Sequence, residues 1–372
     1  MSEWKECQLG DLITFQRGHD LPKTKMQGGK YPVVGSNGII GYHNEYTTEA
    51  PSITIGRSGN VGKPFLFKGR SWSHNTSLYI KEYKAVDPIF IYYFLQTLDL
   101  GNYAGGSAVP TLNRNHIHTL NVYVPPNIDE QRRIGAVLSV IDDKIELNTA
   151  INENLEQQVQ AYFVDLFITN ANPNWRIGTI SDLGNVVGGG TPSKKVEEYY
   201  TSDGIAWITP KDLSNDKSKF VAHGETDITE LGLSKSSATL MPKGTVLFSS
   251  RAPIGYIAIA DGQVCTNQGF KSIVPFDNVG TAFVYYFLKE NLSAIENVAS
   301  GSTFKEVSGS TMKNFTATIP DNDTLAEFQR FCSPLFEQQR ALEYENRYLS
   351  SIRDTLLPKL MNGEIDVSAV QI

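Results

Sequence analysis

The chain is written twice, and that repetition limits the folds open to it more than any other feature. Trp4 opens a segment with Leu9, Asp11 and Leu12 at offsets of 5, 7 and 8; Trp175 opens another with Ile180, Asp182 and Leu183 at the same offsets. Phe90-Ile-Tyr-Tyr-Phe-Leu95 recurs as Phe283-Val-Tyr-Tyr-Phe-Leu288. Gly106-Ser107 matches Gly301-Ser302, and Leu120-Asn-Val-Tyr-Val-Pro125 matches Phe315-Thr-Ala-Thr-Ile-Pro320. The offset between copies drifts only from 171 to 195, so insertions separate anchors that keep their order. Matches in a fixed order point to internal duplication rather than chance.

Each copy ends in a stretch that cannot belong to a small domain. After Pro125-Pro126 the sequence is almost free of Gly and Pro. Ile134, Ile141, Asn148, Leu155 and Tyr162 recur every seven residues, and Leu138, Ile145, Asn152, Val159 and Leu166 form a second series displaced by four. That is an a/d seam sustained over about five heptads. In the second copy Leu335, Leu342, Leu349 and Leu356 stand at strict sevens, while the complementary series Cys332, Gln339, Asn346 and Arg353 is polar. A helix of about 38 residues is about 57 Å long at 1.5 Å per residue. The expectation is that the two helices pair with each other, antiparallel, through Ile134, Leu138, Ile141, Ile145, Leu155 and Val159 on one side and Leu335, Leu342, Leu349 and Leu356 on the other. The polar pairs Asn148/Asn152 and Gln339/Asn346 either fix that register or are surface positions on a curved seam.

The globular copies read differently. Short β-rich runs such as Ser52–Ile55, Leu78–Ile80, Thr245–Phe248 and Tyr256–Ile259 are bounded by Gly, Pro, Asn and Ser clusters. Asp87–Thr97 and Thr281–Asn291 read as short helices whose Tyr92, Tyr93 and Phe94 belong to a core. The fold class is α+β: an α/β domain over 1–127, a long helix over 128–170, a second α/β domain over 171–320, and a long helix with tail over 321–372.

Composition bounds the function. Charged residues are 20% of the chain and the net charge is −7. The acidity sits in the two helices, at −5 over 128–170 and −4 over 321–366, while residues 1–127 carry +3 and residues 171–320 carry −1. Charge therefore permits nucleic-acid binding without demonstrating it. No run of about 18 apolar residues predicts a membrane span, and the opening MSEWKECQLGDLITF does not read as a signal peptide. Cys7, Cys265 and Cys332 are far apart with no CxxC pair, which argues against a disulfide framework or zinc site and predicts a cytoplasmic protein.

Enzyme signatures are missing where they would be looked for. Gly62-Lys63 lacks the upstream Gly and following Ser/Thr of a phosphate loop. Asn172-Pro-Asn-Trp175 is only an echo of a methyltransferase Asn-Pro-Pro-aromatic motif, and it lies at the junction between copies. His116-x-His118 looks metal-like alone, but its counterparts in the other copy are Thr311 and Lys313. No catalytic residue and no metal site is predicted.

This combination, over the whole chain, resembles the DNA specificity subunits of type I restriction–modification systems. Trp175…Ile180-Ser-Asp-Leu183…Gly188-Gly-Gly-Thr-Pro-Ser193 is similar to the opening of a target-recognition domain. Pro125-Pro-Asn-Ile-Asp-Glu-Gln-Arg-Arg-Ile134 is similar to the family's proline-led helix start. Leu356-Leu-Pro-Lys-Leu-Met-Asn-Gly-Glu-Ile365 resembles its helix ending and is the most specific of the three. The first domain departs from the pattern with Arg17-Gly-His-Asp-Leu-Pro22, and the second helix start lacks the Glu-Gln pair. The resemblance implies two pseudo-symmetric target-recognition domains separated and followed by long antiparallel coiled-coil-like helices. It also implies double-stranded DNA and two AdoMet-dependent adenine methyltransferase subunits as partners. In a full restriction complex it adds two restriction–translocase subunits using ATP and Mg. No cofactor is implied for this chain.

Recognition chemistry needs donors and acceptors on exposed loops. In the first domain these are Arg17, Lys23, Lys25, Arg57, Ser58, Asn60, Asn113 and Arg114. In the second they are Thr191, Ser193, Lys194, Lys195, Lys211, Arg251, Thr303 and Lys305. Arg57 and Arg251 are expected to match, each following a strand in Thr-Ile-Gly-Arg and Phe-Ser-Ser-Arg. A stand-alone duplicated DNA-binding regulator, a duplicated protein-interaction module, and a specificity module of a methylation-only system remain alternatives at this point.

Overall fold

The computed structural model describes residues 4–26, 28–106, 110–251, 253–301 and 305–371. The chain divides into two compact units, Met1–Glu146 with Arg347–Ile372 and Leu147–Asn346. The boundary falls inside both long helices, which span Ile128–Val164 and Asn322–Met361. Each helix thus gives one part of its length to each unit.

In unit 1 four antiparallel strands lie in the order Ile13–Arg17, Ser77–Tyr83, Ser52–Gly56, Pro64–Phe67. Ser52–Gly56 is covered on both faces and buried throughout, which explains why SITIG carries no polar-out alternation beyond small hydroxyls. The helix Pro88–Gln96 packs on this sheet. Pro88 stands at its first turn and the Asp87 carboxylate accepts from Ile89 N and Phe90 N, the arrangement expected of a capped start. Its Phe90, Ile91, Tyr93, Phe94 and Leu95 are buried, and Tyr92 is half-buried. A smaller sheet joins Gly38–His43, Tyr31–Gly35 and, in parallel, Trp72–Ser73.

Unit 2 repeats the plan. Its main sheet runs Gly184–Gly188, Lys271–Pro275, Val246–Ser250, Ile254–Ala260 and Phe220–Val221, and Trp207–Ile208 pairs in parallel with Cys265–Thr266 as Tyr31–Gly35 does with Trp72–Ser73. Thr281–Glu290 takes the place of the aromatic helix, with Ala282 to Leu288 all buried.

Within each unit the two long helices run antiparallel. In unit 1 Ile134 and Leu138 share a core with Leu360 and Met361, Leu356 packs against it, and Arg353 pairs with Asp142 at 2.8 Å. In unit 2 Val159 and Phe163 share a core with Leu325, Phe328, Cys332 and Phe336. Leu155 is buried, Ile141 and Ile145 are half-buried, and so are Leu335, Leu342, Leu349 and Leu356. The inward line of the second helix is drawn by Phe328, Cys332, Phe336 and Gln339, at spacings of 4, 4 and 3. A straight helix drifts against a strict seven-residue repeat, and bulky aromatics take the deepest places.

The polar seam residues are bonded. Asn148 donates to Glu345 at 2.8 Å, Asn346 to Thr149 at 3.2 Å, and Asn152 to Glu343 at 3.4 Å. Deeper in unit 2 lies a charge network on the aromatic helix. Lys219, buried, pairs with Glu156 and donates to Gln339 Oε1 at 2.7 Å and Tyr286 Oη at 3.1 Å. Glu156 also accepts from Lys289 at 2.6 Å and Tyr286 at 2.7 Å. Glu343 caps the backbone at Lys219 N, 2.9 Å, and Phe220 N, 3.1 Å. Burial alone would raise the Glu156 carboxyl, but Lys219 and Lys289 together hold it down at about 2.

Two outcomes follow for unit 2. Glu156→Gln leaves the buried Lys219 without its paired carboxylate and should cost about 3–5 kcal/mol, whereas Lys219→Met leaves Glu156 still paired with Lys289 and should cost clearly less. Urea melts of both variants check this, and equal losses would contradict it. Because the folded Glu156 titrates at about 2 against an ordinary 4.5, its contribution is complete above the ordinary value. It declines as pH falls from there towards the folded one.

Candidate nucleic-acid interface

In each unit three segments converge on one short connection, Ser73–Ser77 in unit 1 and Thr266–Phe270 in unit 2. In unit 1 His19 N donates to Ser73 O at 2.8 Å, His74 N to Val34 O at 2.8 Å and Arg57 N to Thr76 O at 2.8 Å. In unit 2 the corresponding bonds are Gly190 N to Thr266 O at 2.8 Å, Asn267 N to Ile208 O at 3.0 Å and Ser250 N to Gly269 O at 2.7 Å. The backbone scaffold is therefore the same, and the side chains it carries differ. Gly56 is needed in unit 1 because a Cβ there would collide with the Asn60 carbonyl where the loop folds back.

These pairings correct the expected match of Arg57 with Arg251. Ser58 bridges Thr111 as Arg251 bridges Glu306. Leu112 N donates to Arg57 O as Val307 N donates to Ser250 O, both at 2.9 Å. Arg57 thus occupies the place of the buried Ser250, and Ser58 that of Arg251. Aligning the two arginines slipped the strand by one residue, and a slip of one exchanges the two faces.

Unit 2 builds a cleft of about 540 Å³ at this convergence, lined by the expected Thr191, Lys194, Lys211 and Arg251. Its wall is rigid. Trp207 is buried and its Nε1 donates to Gly190 O at 3.0 Å. Asp212 caps Thr209 N at 2.7 Å and accepts from Glu225 N at 2.8 Å. The cations are held loosely. Lys211 meets Glu225 at 2.6 Å with both side chains mostly exposed, and Arg251 stands 3.8 Å from Glu306. Exposed pairs of this kind hold weakly and are screened by salt, so a phosphate or base edge can compete for the cations. Ser193, Lys195 and Lys305 are exposed and do not line the cleft; Thr303 lies outside the described residues.

In unit 1 the structure brings Arg57, Ser58, Asn113 and Arg114 together, since Arg57 O receives Leu112 N and Asn113 caps the helix Arg114–His118. Asn60 is exposed on the same loop. Arg17 ends its strand, and exposed Lys23 and Lys25 sit on a short turn after Pro22. The sequence reading passed over the connection itself, His74-Asn75-Thr76 and Asn267-Gln268-Gly269. Its signal was available as a polar run following Trp72-Ser73 in one copy and Cys265-Thr266 in the other, before the next strand.

His116 and His118 do not act as a pair. His116 is exposed, while His118 Nε2 accepts from the backbone N–H of Phe15 at 2.9 Å.

Comparison with known proteins places this geometry. The family described as type I restriction modification DNA specificity domain matches residues 1–157 and 172–343. The chain is 44% identical over 195 residues to the type I restriction enzyme MjaIX specificity subunit of Methanocaldococcus jannaschii, a match covering 52% of this chain and 44% of that protein. The chain thus spans less than half of that relative. It is 23% identical to the EcoR124I/EcoR124II specificity subunit of Escherichia coli, over 97% of this chain and 89% of that one. The crystal structure of a type I restriction–modification S subunit from M. genitalium shares the fold, with a TM-score of 0.65, 17% identity and 96% of each chain covered.

His118 is expected to give unit 1 a pH dependence. Burial, then Arg114 and Lys84, lower its pKa below the ordinary 6.5, and only the neutral ring can accept from Phe15 N. The unfolded chain takes up the proton first, so stability that is complete above 6.5 should decline as pH falls from there towards the lowered folded value. His118→Gln, able to accept without titrating, should flatten this part of a melting-temperature profile; an unchanged slope would remove His118 as its source.

Proposed function

Because the chain belongs to the family of type I restriction–modification DNA specificity subunits, we propose that it reads a bipartite duplex, one half-site per globular domain. The observation that carries this reading is the repeated convergence of loops on Ser73–Ser77 and Thr266–Phe270 with different side chains on it. One scaffold with two sets of readers suits a target whose halves differ in sequence. Arg251 can fork to guanine O6 and N7 or grip a phosphate, while Lys194 and Lys211 suit the backbone.

In this reading the chain performs no chemistry. It presents the long helices to two AdoMet-dependent adenine methyltransferase subunits and, in a restriction complex, to two ATP- and Mg-using translocase–nuclease subunits. The chain itself needs no cofactor. No helix among the described residues is long and apolar enough to cross a membrane.

Replacing residues 171–320 with another recognition domain should change one half of the methylated motif in cells and leave the other intact; a swap that alters both halves would refute the division of labour. One copy should take up two methyltransferase subunits at saturation, read by native mass spectrometry, and a complex that stops at one contradicts the model. The purified chain should transfer no methyl group from AdoMet, and transfer by it alone would end the non-catalytic reading.

A further inference from the structure

Asn75 and Gln268 occupy the same place in the two connections on which the loops converge. Each bonds the third residue beyond the first strand of its sheet. Asn75 Nδ2 donates to Asp20 Oδ1, and Thr191 Oγ1 donates to Gln268 Oε1. Strands Ile13–Arg17 and Gly184–Gly188 place Asp20 and Thr191 equivalently. The neighbours in the connection are already engaged. The His74 ring Nδ1 is bonded to Thr76 Oγ1 at 3.1 Å, Asn267 Oδ1 accepts from Gly269 N at 2.8 Å, and Thr76 Oγ1 also accepts from Ser36 N at 3.3 Å.

The two amides keep a donor and an acceptor each. A carboxylate accepts only, so Asp20 fixes the Asn75 amide with Nδ2 towards itself. Oδ1 and the second N–H have no partner among the described residues. At Gln268, which is exposed, Thr191 occupies one lone pair of Oε1. The other lone pair and the Nε2 donors have no partner among the described residues.

We propose that Asn75 and Gln268 are specificity-determining residues, each reading an adenine in the major groove of its own half-site. An amide donating to N7 and accepting from N6–H matches adenine. Guanine offers two acceptors side by side and would set one against the amide oxygen. Cytosine offers only a donor there, and thymine an acceptor and a methyl group. Asp20 is a positioning residue, since it sets which amide atom faces outwards. The assignment rests on the specificity reading above and makes it concrete at one base in each half.

The test uses the full chain and a library of randomised DNA duplexes, with the bound fraction sequenced. Wild type should select a bipartite motif. Gln268→Ala should lose adenine preference at one position of one half-site, by about tenfold or more, with the other half unchanged. Asn75→Ala should do the same in the other half. Asp20→Asn, which frees the amide to turn over, should relax the Asn75 position. Should Asn75→Ala fail to fold, Gln268→Ala at its exposed site decides the question. An unchanged motif, uniform weakening on all sequences, or a loss at a position other than adenine would overturn the amide assignment alone. A wild-type chain that selects no motif would overturn the specificity reading and the assignment together.

Discussion

Each globular domain is finished by helix surface that its own stretch of sequence does not supply. The core of unit 1 takes Ile134 and Leu138 from the helix that follows its domain, and Leu360 and Met361 from the far end of the other. Unit 2 takes Phe328 and Cys332 from its following helix, and Val159 and Phe163 from the end of the first. A helix of 37 or 40 residues cannot bury its apolar line against itself, and a short aromatic helix such as Pro88–Gln96 cannot close a core with one sheet alone. Each deficiency meets the other. The aromatic helices carry the polar anchors at this junction: Tyr93 donates to Asp142 at 2.6 Å in unit 1 and Tyr286 to Glu156 at 2.7 Å in unit 2.

Around the loop convergence, backbone scaffold and outward side chains are separable. The bonds that shape the convergence are backbone bonds, which survive any change of side chain other than to proline. Trp207, Asp212 and Gly56 hold walls in place. The side chains left facing outwards, Arg251 and Gln268 in one domain and Ser58 and Asn75 in the other, are free to vary without disturbing a core. Two copies of one fold can therefore differ in what they recognise.

Much of this was legible in the sequence. Duplication, the aromatic helices and the long helices announce themselves through repeated anchors and an absence of breakers, because those signals are local and periodic. The strands over Ser52–Gly56 and Val246–Ser250 were found for the same reason. Register was harder. Arg57 and Arg251 align by letter, yet the ladder sets Ser58 opposite Thr111 as it sets Arg251 opposite Glu306, and only cross-strand partners far along the chain reveal that. The Leu335–Leu356 line is periodic but only half-buried, because Phe328, Phe336 and Gln339 point at partners that the heptad rule does not weigh. Asn75 and Gln268 escaped notice since a polar residue in a loop looks the same whether it reads a base or faces water. Their place is defined by Asp20 and Thr191, many residues upstream.

The close of the second long helix has a consequence for how the protein comes into being. Gly363 adopts φ +78° and lies so close to Trp4 that a Cβ would sit 3.1 Å from its ring, while Val367 joins the unit 1 core and Ile365 packs against it. Unit 2 is one continuous stretch; unit 1 is two, with all of unit 2 translated between them. On the ribosome the second unit therefore has its whole sequence available while the first still waits for its final helix turns and tail. During that interval Trp4, Leu138 and the aromatic helix lack their cover. The half made first is the half completed last, and a chain that stalls before Arg347 leaves its earliest domain as its least finished one.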